Sequence, residues 1–197
     1  LDNTILKDQL NLMRVGEPMY VFYGYVEDGY DENGHIVYKN MDDDPAITAA
    51  DKTIIGDPNP DFLVNLTTAV SYKGFTLSAF FQSSIGNDIY SLSMAAQAYD
   101  YGYNGNTLRE VYYNHWTLEN PTAKYPNLDQ TSYKMSDRFV YDGSFVRLKN
   151  LELAYDVPCA RNKFIKRARV YVSAQNLFTI TSYPFWDPDI NANGGGS

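Results

Sequence analysis

The run Asn40-Met41-Asp42-Asp43-Asp44-Pro45-Ala46-Ile47-Thr48-Ala49-Ala50-Asp51 carries oxygen side chains at its first, third, fifth, ninth and twelfth positions. That is the spacing of an EF-hand loop, where carboxylate and carbonyl oxygens surround Ca2+ and the seventh position offers its backbone carbonyl. The candidate metal ligands are therefore Asn40, Asp42, Asp44, Ala46 through its carbonyl, Thr48 and Asp51. Asn40 brings no charge to the first position, and Pro45 stands where the sharp turn favours Gly. Both departures weaken a Ca2+ site and favour a solvated acidic loop.

A second group of residues suits ligand contact. Tyr99-Asp100-Tyr101-Gly102-Tyr103-Asn104 and Tyr112-Tyr113-Asn114-His115-Trp116 place aromatic rings beside amide and carboxylate side chains. Aromatic faces stack on sugar rings while neighbouring polar groups bond hydroxyls, which makes Tyr99, Tyr101, Tyr103, Asn104, Tyr112, Tyr113 and Trp116 the ligand-contact candidates. Packing of the loop on itself, or against a covering protein, accounts for the same residues equally well. For catalysis the sequence is poor. His35 and His115 have no matched Ser or Cys elbow, and no H-E-x-x-H, G-x-S-x-G or phosphate loop is present. No catalytic residue is assigned, and the chain is not expected to be an enzyme. Asp137-Arg138 and Arg147 with Lys149 are expected as wall or lumen ion pairs.

Composition narrows the class. A formal charge of −8 and a pI near 4.6 argue against nucleic acid as a partner, because such binding needs a basic surface that displaces counterions. The 18 Tyr and 10 Phe suit a carbohydrate-contacting surface or the interfacial girdle of a membrane barrel, since Tyr joins an apolar body to a wet tip. Cys159 is alone, so neither an intrachain disulfide nor a thiolate metal cluster can form. No run of about 18 apolar residues exists for a spanning helix, which says nothing against spanning strands. No charged-then-apolar leader precedes Leu1, so any targeting segment is expected outside this sequence.

The elements that must position these residues read as strands separated by loops. Residues 1–14 are an unassigned lead-in, Met19–Val26 reads as a short strand, and 27–60 as a long loop rich in Asp, Gly, Asn and Pro. Phe62, Val64, Leu66, Val70 and Tyr72 share one parity and Asn65, Thr67 and Ser71 the other, the period of a two-faced strand. After a turn at Lys73-Gly74, Phe75, Leu77, Ala79 and Phe81 alternate with Thr76, Ser78 and Gln82. Each arm, at about ten residues, is long enough to cross a bilayer when tilted. Ile85–Ser136 is an excursion with two short helices, Ile89–Ala98 and Thr107–His115. Phe145–Val157 resumes the strand pattern with a bulge near Lys149-Asn150 that joins two phases, and Ala168–Thr181 alternates to its end. Long and short connections alternate, so the long ones fall at one end of an up-and-down sheet, as in outer-membrane barrels. A soluble glycan-binding β-sandwich is the alternative, because its hairpins carry the same alternation.

Several strings in order resemble SusC/RagA-type TonB-dependent outer-membrane transporters. They are Val15-Gly16-Glu17-Pro18, Ile54-Ile55-Gly56-Asp57-Pro58-Asn59-Pro60-Asp61-Phe62, Ser71-Tyr72-Lys73-Gly74-Phe75, Gly86-Asn87-Asp88-Ile89-Tyr90, Asp142-Gly143-Ser144-Phe145-Val146-Arg147-Leu148-Lys149-Asn150 and Gln175-Asn176-Leu177-Phe178. The resemblance covers nearly all of residues 15–191 and falls in the family's C-terminal third. It implies an all-β fold, a portion of a transmembrane antiparallel barrel of about 22 strands with long extracellular loops. Residues 15–181 would be barrel strands and loops, and 182–197 a loop or incomplete C-terminal segment. It further implies an outer-membrane location in a Gram-negative bacterium, contact with outer-membrane lipid, a SusD-like surface lipoprotein as partner, energy from TonB, and import of oligosaccharides or oligopeptides. The plug, the TonB-contacting segment and the closing strand are expected outside these residues. The family often carries a D-x-N-G-D-G-x-I-T-x-x-D version of the acidic loop, from which Asn40 and Pro45 depart. On this reading Phe62, Val64, Leu66, Leu77, Phe81, Val170, Val172 and Phe178 face lipid or its interface.

Overall fold

The computed structural model describes residues 5–6, 10–99, 106–130, 132–159 and 167–189. They form twelve strands: β1 (Ile5–Leu6), β2 (Asn11–Met13), β3 (Val21–Gly24), β4 (Glu27–Tyr30), β5 (Ile36–Tyr38), β6 (Thr53–Gly56), β7 (Phe62–Tyr72), β8 (Phe75–Ile85), β9 (Asp88–Tyr90), β10 (Val140–Asp142), β11 (Phe145–Val157) and β12 (Ala168–Thr181). Two helices, α1 (Leu92–Tyr99) and α2 (Arg109–Tyr113), lie between β9 and β10. The chain divides into two compact units, one of residues 1–59 and 88–141, the other of 60–87 and 142–197.

The second unit is one antiparallel sheet in the order β12-β11-β8-β7. Lys73 (φ 48°) and Gly74 (φ 85°) both adopt the left-handed region, as the two-residue hairpin turn that matches strand twist requires. Directly opposed residues share a face, so the register defines rows across the strands. Val70, Leu77, Leu153 and Val172 make one row, and Leu66, Phe81, Leu148 and Phe178 another. Both lie on the same apolar face because β11 shifts register between Leu148 and Asn150. The extra residue, Lys149, lets the even-numbered Val146 and Leu148 and the odd-numbered Leu151, Leu153 and Tyr155 point the same way. Opposite Lys149 on β12, Asn176 takes a positive φ of 50°. The other face is largely polar, with rows such as Ala69, Ser78, Glu152 and Ser173, and Asn65, Gln82, Arg147 and Thr179.

The first unit has a four-stranded sheet in the order β1-β2-β3-β6 and two two-stranded pairs, β4 with β5 and β9 with β10. Its interior holds Leu12, Val21, Phe22, Ile89, Met94, Val111 and Phe139, with Tyr25, Tyr38, Tyr90 and Tyr125 among them. Tyr90 sits between Phe22 and Phe139, each ring centroid 5.9 Å away. These four tyrosines thus serve as core rather than as a girdle or ligand surface.

This unit differs from the expectation in three places. The strand expected at Met19–Val26 is only β3, and it pairs with β2 and β6 rather than with the long strands. Residues 27–60 are not one loop, since they contain β4, β5, β6 and a 3-10 turn at Ala49–Asp51. The helix expected from Ile89 starts at Leu92, because Asp88–Tyr90 pairs with β10 as a strand.

Candidate functional site

The acidic loop is closed by its own last carboxylate. Asp51 is fully buried, and its two oxygens accept the backbone N–H groups of Met41 and Thr48, each at 2.7 Å. Thr48 returns the contact by accepting the Ala50 N–H at 3.2 Å, which completes a capping box around the 3-10 turn. Along the loop Asn40, Asp42 and Asp44 each accept the backbone N–H two residues on, at 3.1, 2.8 and 3.0 Å, the last from Ala46. The structure therefore brings the six expected ligands into one loop, with the side-chain oxygens engaged by backbone donors. Hydrogen bonds from Met41 and then Thr48 hold the Asp51 carboxyl below its ordinary range. Among the described residues, no three or more His, Cys, Asp and Glu side chains are grouped to hold a metal ion.

Of the aromatic candidates, Tyr101, Tyr103 and Asn104 lie outside the described residues, as does the side chain of Tyr99 at the end of α1. Tyr112 and Tyr113 stand exposed on α2, 57% and 67% accessible, with ring centroids 5.3 Å apart at 86°. The Arg109 guanidinium lies 5.9 Å from the Tyr113 ring. Trp116 turns the other way. It is 8% exposed, and its indole fills the space where a side chain on Gly34 would be, so it packs the loop. The Trp116 N–H to Tyr125 carbonyl bond, 2.8 Å, holds that arrangement.

A cavity of about 350 Å³ in the first unit is lined by Glu27, Met94, Lys124, Tyr125, Asp137, Arg138, Phe139 and Tyr141. Arg138 forks onto the Glu27 carboxylate and donates from Nη1 to the Lys124 carbonyl at 2.6 Å. Ser136 Oγ donates to Glu27 at 2.9 Å, and Asp137 accepts the Glu27 N–H at 3.0 Å. Arg138 thus forms the ion pair expected of it with Glu27 of β4, inside the first unit. Burial pushes the nearby Tyr38 phenol up to about 12, against the pull of the Lys134 N–H that it accepts, so it stays protonated at neutral pH.

Arg147 is on the polar face of the long sheet, 4% exposed. Its Nε donates to Thr179 Oγ1 at 2.9 Å, its Nη1 to Asp189 at 3.2 Å, and its Nη2 to Asp187. Lys149 is 4.0 Å from Asp189. The spacing of residues gave no sign that Asp187 and Asp189, some forty positions on, are the partners. Desolvation raises the Asp187 carboxyl, but the Asp189 N–H and the Arg147 guanidinium outweigh it and leave the group below its ordinary value. His35 has Nε2 2.8 Å from Asp129, and His115 donates from Nδ1 to the Tyr112 carbonyl at 2.7 Å.

No family model matches the chain. The TonB-dependent receptor P3 of Formosa agariphila is 32% identical over 94% of this chain and 20% of its own length. The TonB-dependent receptor SusC of Bacteroides thetaiotaomicron is 30% identical over 91% of this chain and 18% of its own. By sequence and fold the chain is of the SusC/RagA type of TonB-dependent receptors. The RagAB peptide importer in its open-open state superposes with a TM-score of 0.79 at 26% identity, over 95% of this chain and 22% of that one. In the closed-closed state the TM-score is 0.80 at 27% identity, over 93% and 22%. This SusC/RagA-type chain therefore spans about a fifth of the length of the receptors it matches.

Proposed function

We propose that this chain is the C-terminal strand-and-loop portion of an outer-membrane barrel in a Gram-negative bacterium. The whole transporter imports oligosaccharides or oligopeptides with energy from TonB and with a SusD-like lipoprotein over its outer mouth. Residues 15–181 supply strands and loops, and the exposed Tyr112 and Tyr113, with Tyr99, Tyr101, Tyr103 and Asn104, contact the imported ligand.

The uncovered apolar face of the long sheet carries this reading. Phe62, Val64, Leu66, Val70, Leu77, Val170, Val172, Phe178 and Ile180 are all exposed, Val172 to 74%. A soluble β-sandwich would bury such a face against a second sheet. Eleven residues at about 3.4 Å each, tilted by about 45°, rise roughly 26 Å, which matches the apolar band of about 25 Å in outer-membrane barrels. Aromatic residues mark one end of the band, where Tyr72 pairs with Phe75 and Phe75 stacks 4.5 Å from Tyr155. Both outer strands, β7 and β12, pair on one side only, which suits continuation of the sheet by further strands.

Single cysteines in the full-length receptor, embedded in native outer membrane, test the reading. Cysteines replacing Val64, Val70 and Val172 are expected to react with a lipid-soluble maleimide and resist a charged, water-soluble one. Cysteines replacing Thr67, Ser78 and Ser173 are expected to do the reverse or stay protected. Equal labelling of both sets by the charged reagent refutes a lipid-facing wall.

A further inference from the structure

Between β4 and β5 the chain turns through residues 31–35, and Asp31 shapes the tip. Its Oδ1 accepts the Asn33 N–H at 2.9 Å and the His35 N–H at 2.8 Å. Residues 124–130, in the same compact unit, form a strap that is hydrogen-bonded along this hairpin. Tyr30 Oη and Arg138 Nη1 both donate to the Lys124 carbonyl, at 3.0 and 2.6 Å. Asn127 donates from its backbone N–H to the Gly34 carbonyl and from Nδ2 to the Asn33 carbonyl, each at 2.9 Å, and the Ile36 N–H donates to Gln130 Oε1 at 2.9 Å. None of these groups ordinarily changes charge near neutral pH.

The remaining contact is of another kind. His35 Nε2 lies 2.8 Å from Asp129 on the strap, and Nδ1 lies 3.9 Å from Asp31 on its own hairpin. Among the described residues, these two carboxylates are the ionised groups within ion-pair distance of the ring. Ionised carboxylates only accept hydrogen bonds, whereas a neutral imidazole has one donor nitrogen and one lone pair. A neutral ring that donates to one carboxylate therefore turns its lone pair toward the other. The imidazolium presents an N–H to each, so it is the form that both neighbours favour. The Asp31 carboxyl is held below its ordinary range, chiefly by the His35 N–H, and so keeps its charge into mild acid.

We propose that His35 is a pH-sensitive fastener, which on protonation bridges Asp31 and Asp129, tightens the strap on the β4–β5 hairpin and steadies α2. The strap reaches α2 through the Tyr125 N–H, which donates to the Asn114 carbonyl at 3.2 Å, and through Lys124, which pairs with Glu110 at 2.8 Å. By linkage, a proton held more firmly in the fastened state than in the open one favours fastening as pH falls and withdraws that support as pH rises. The device goes beyond the import reading and does not depend on it.

The test is amide hydrogen exchange of the full-length receptor in detergent, read by mass spectrometry at about pH 8 and about pH 5.5, the interval over which histidine ordinarily changes charge. Rates are divided by the intrinsic rate at each pH, so that protection is compared directly. Because the His35 and Asp129 side chains are 40% and 65% exposed, the effect is that of a surface ion pair. Protection of the Ile36, Asn127 and Asn114 amides is expected to rise roughly two- to fivefold on acidification. His35→Gln, whose amide still donates to Asp129 but gains no charge, is expected to show equal protection at both pH values, as is Asp129→Asn. His115→Gln is expected to keep the rise at Ile36 and Asn127. Equal protection at both pH values in the wild type overturns the proposal without any variant. A full rise in His35→Gln or Asp129→Asn, or its loss in His115→Gln, overturns the assignment to His35. A rise that stops at the strap and leaves Asn114 unchanged overturns the coupling to α2.

Discussion

Leu66 offers the sharpest test of the wall, because its depth follows from the register. Counting from the hairpin turn, Leu66 lies three rows beyond the row that contains Tyr72 and Phe75. Each row advances two residues, about 6.7 Å along the strand, or about 5 Å toward the far surface at a tilt near 40°. Leu66 therefore lies about 15 Å from the aromatic end, close to the middle of the apolar band. An arginine on the lipid face costs about 2–4 kcal/mol at mid-depth and about 0–1 near either surface. Leu66→Arg is expected to lower the folded-to-unfolded ratio by roughly 30- to 900-fold, since each 1.36 kcal/mol is about a factor of ten. Thr67→Arg, one residue on and on the polar face, is expected to stay within about 1 kcal/mol, as is Tyr72→Arg at the aromatic end. The assay is a urea titration of the full-length receptor folded into lipid vesicles, read by the heat-modifiable mobility of the folded barrel. Equal costs for Leu66→Arg and Thr67→Arg, or a neutral Leu66→Arg, refute the assignment of faces.

Two further predictions concern the loops. Hydrogen bonds to Asp51 depress its pKa, so its contribution to loop stability is fully present above the ordinary carboxylate range and is lost as pH falls through the depressed value. Hydrogen exchange at the Met41 and Thr48 amides is expected to lose protection across that acid window, and Asp51→Asn to show the loss already at neutral pH. Protection that does not change with acidification refutes the closure by Asp51. Gly34 has a φ of 80° and lies under the Trp116 indole, so Gly34→Ala is expected to cost about 1 kcal/mol or more and to speed exchange at the Trp116 and Tyr125 amides. Wild-type exchange in that variant would show that the indole does not depend on the glycine.

The long strands were legible because alternation over ten or more residues leaves few competing readings, and the bulge announced itself as a change of phase between Leu148 and Leu151. The short strands were not. β4, β5, β6, β9 and β10 have three or four residues each, too few for periodicity to emerge from a segment rich in Asp, Gly and Asn. Their pairing is set by contacts distant in sequence, such as the Glu27 to Arg138 ion pair and the Asp57 N–H to Asp88 bond at 2.9 Å. Trp116 was grouped with exposed tyrosines because it follows them directly, yet the space that takes its ring is opened by a glycine on another loop. The ties of Arg147 to Asp187 and Asp189 carried no signal either, because they span forty and forty-two residues.

Strand β11 shows how the apolar and polar faces of the long sheet are specified together. Arg147 must face the polar side to meet Asp187 and Asp189, while Leu151, Leu153 and Tyr155 must face the apolar side to continue the rows begun by Ala79, Leu77 and Phe75. Under strict alternation the odd positions 147, 151, 153 and 155 all share one face, so the two demands conflict. Lys149 resolves the conflict as the one extra residue between the two registers. Deleting Lys149 is therefore expected to do far more than remove a half-exposed lysine. It forces either Arg147 into the lipid face or Leu151, Leu153 and Tyr155 into the polar one, and a misplaced arginine alone costs about 2–4 kcal/mol at mid-depth. Lys149→Ala, which keeps the residue count, is expected to fold. The measurement is the amount of heat-modifiable, folded receptor in the outer membrane of cells that express each variant. Wild-type accumulation of the deletion variant would mean that β11 does not need its change of register, and the assignment of one lipid face across all four strands would fall with it.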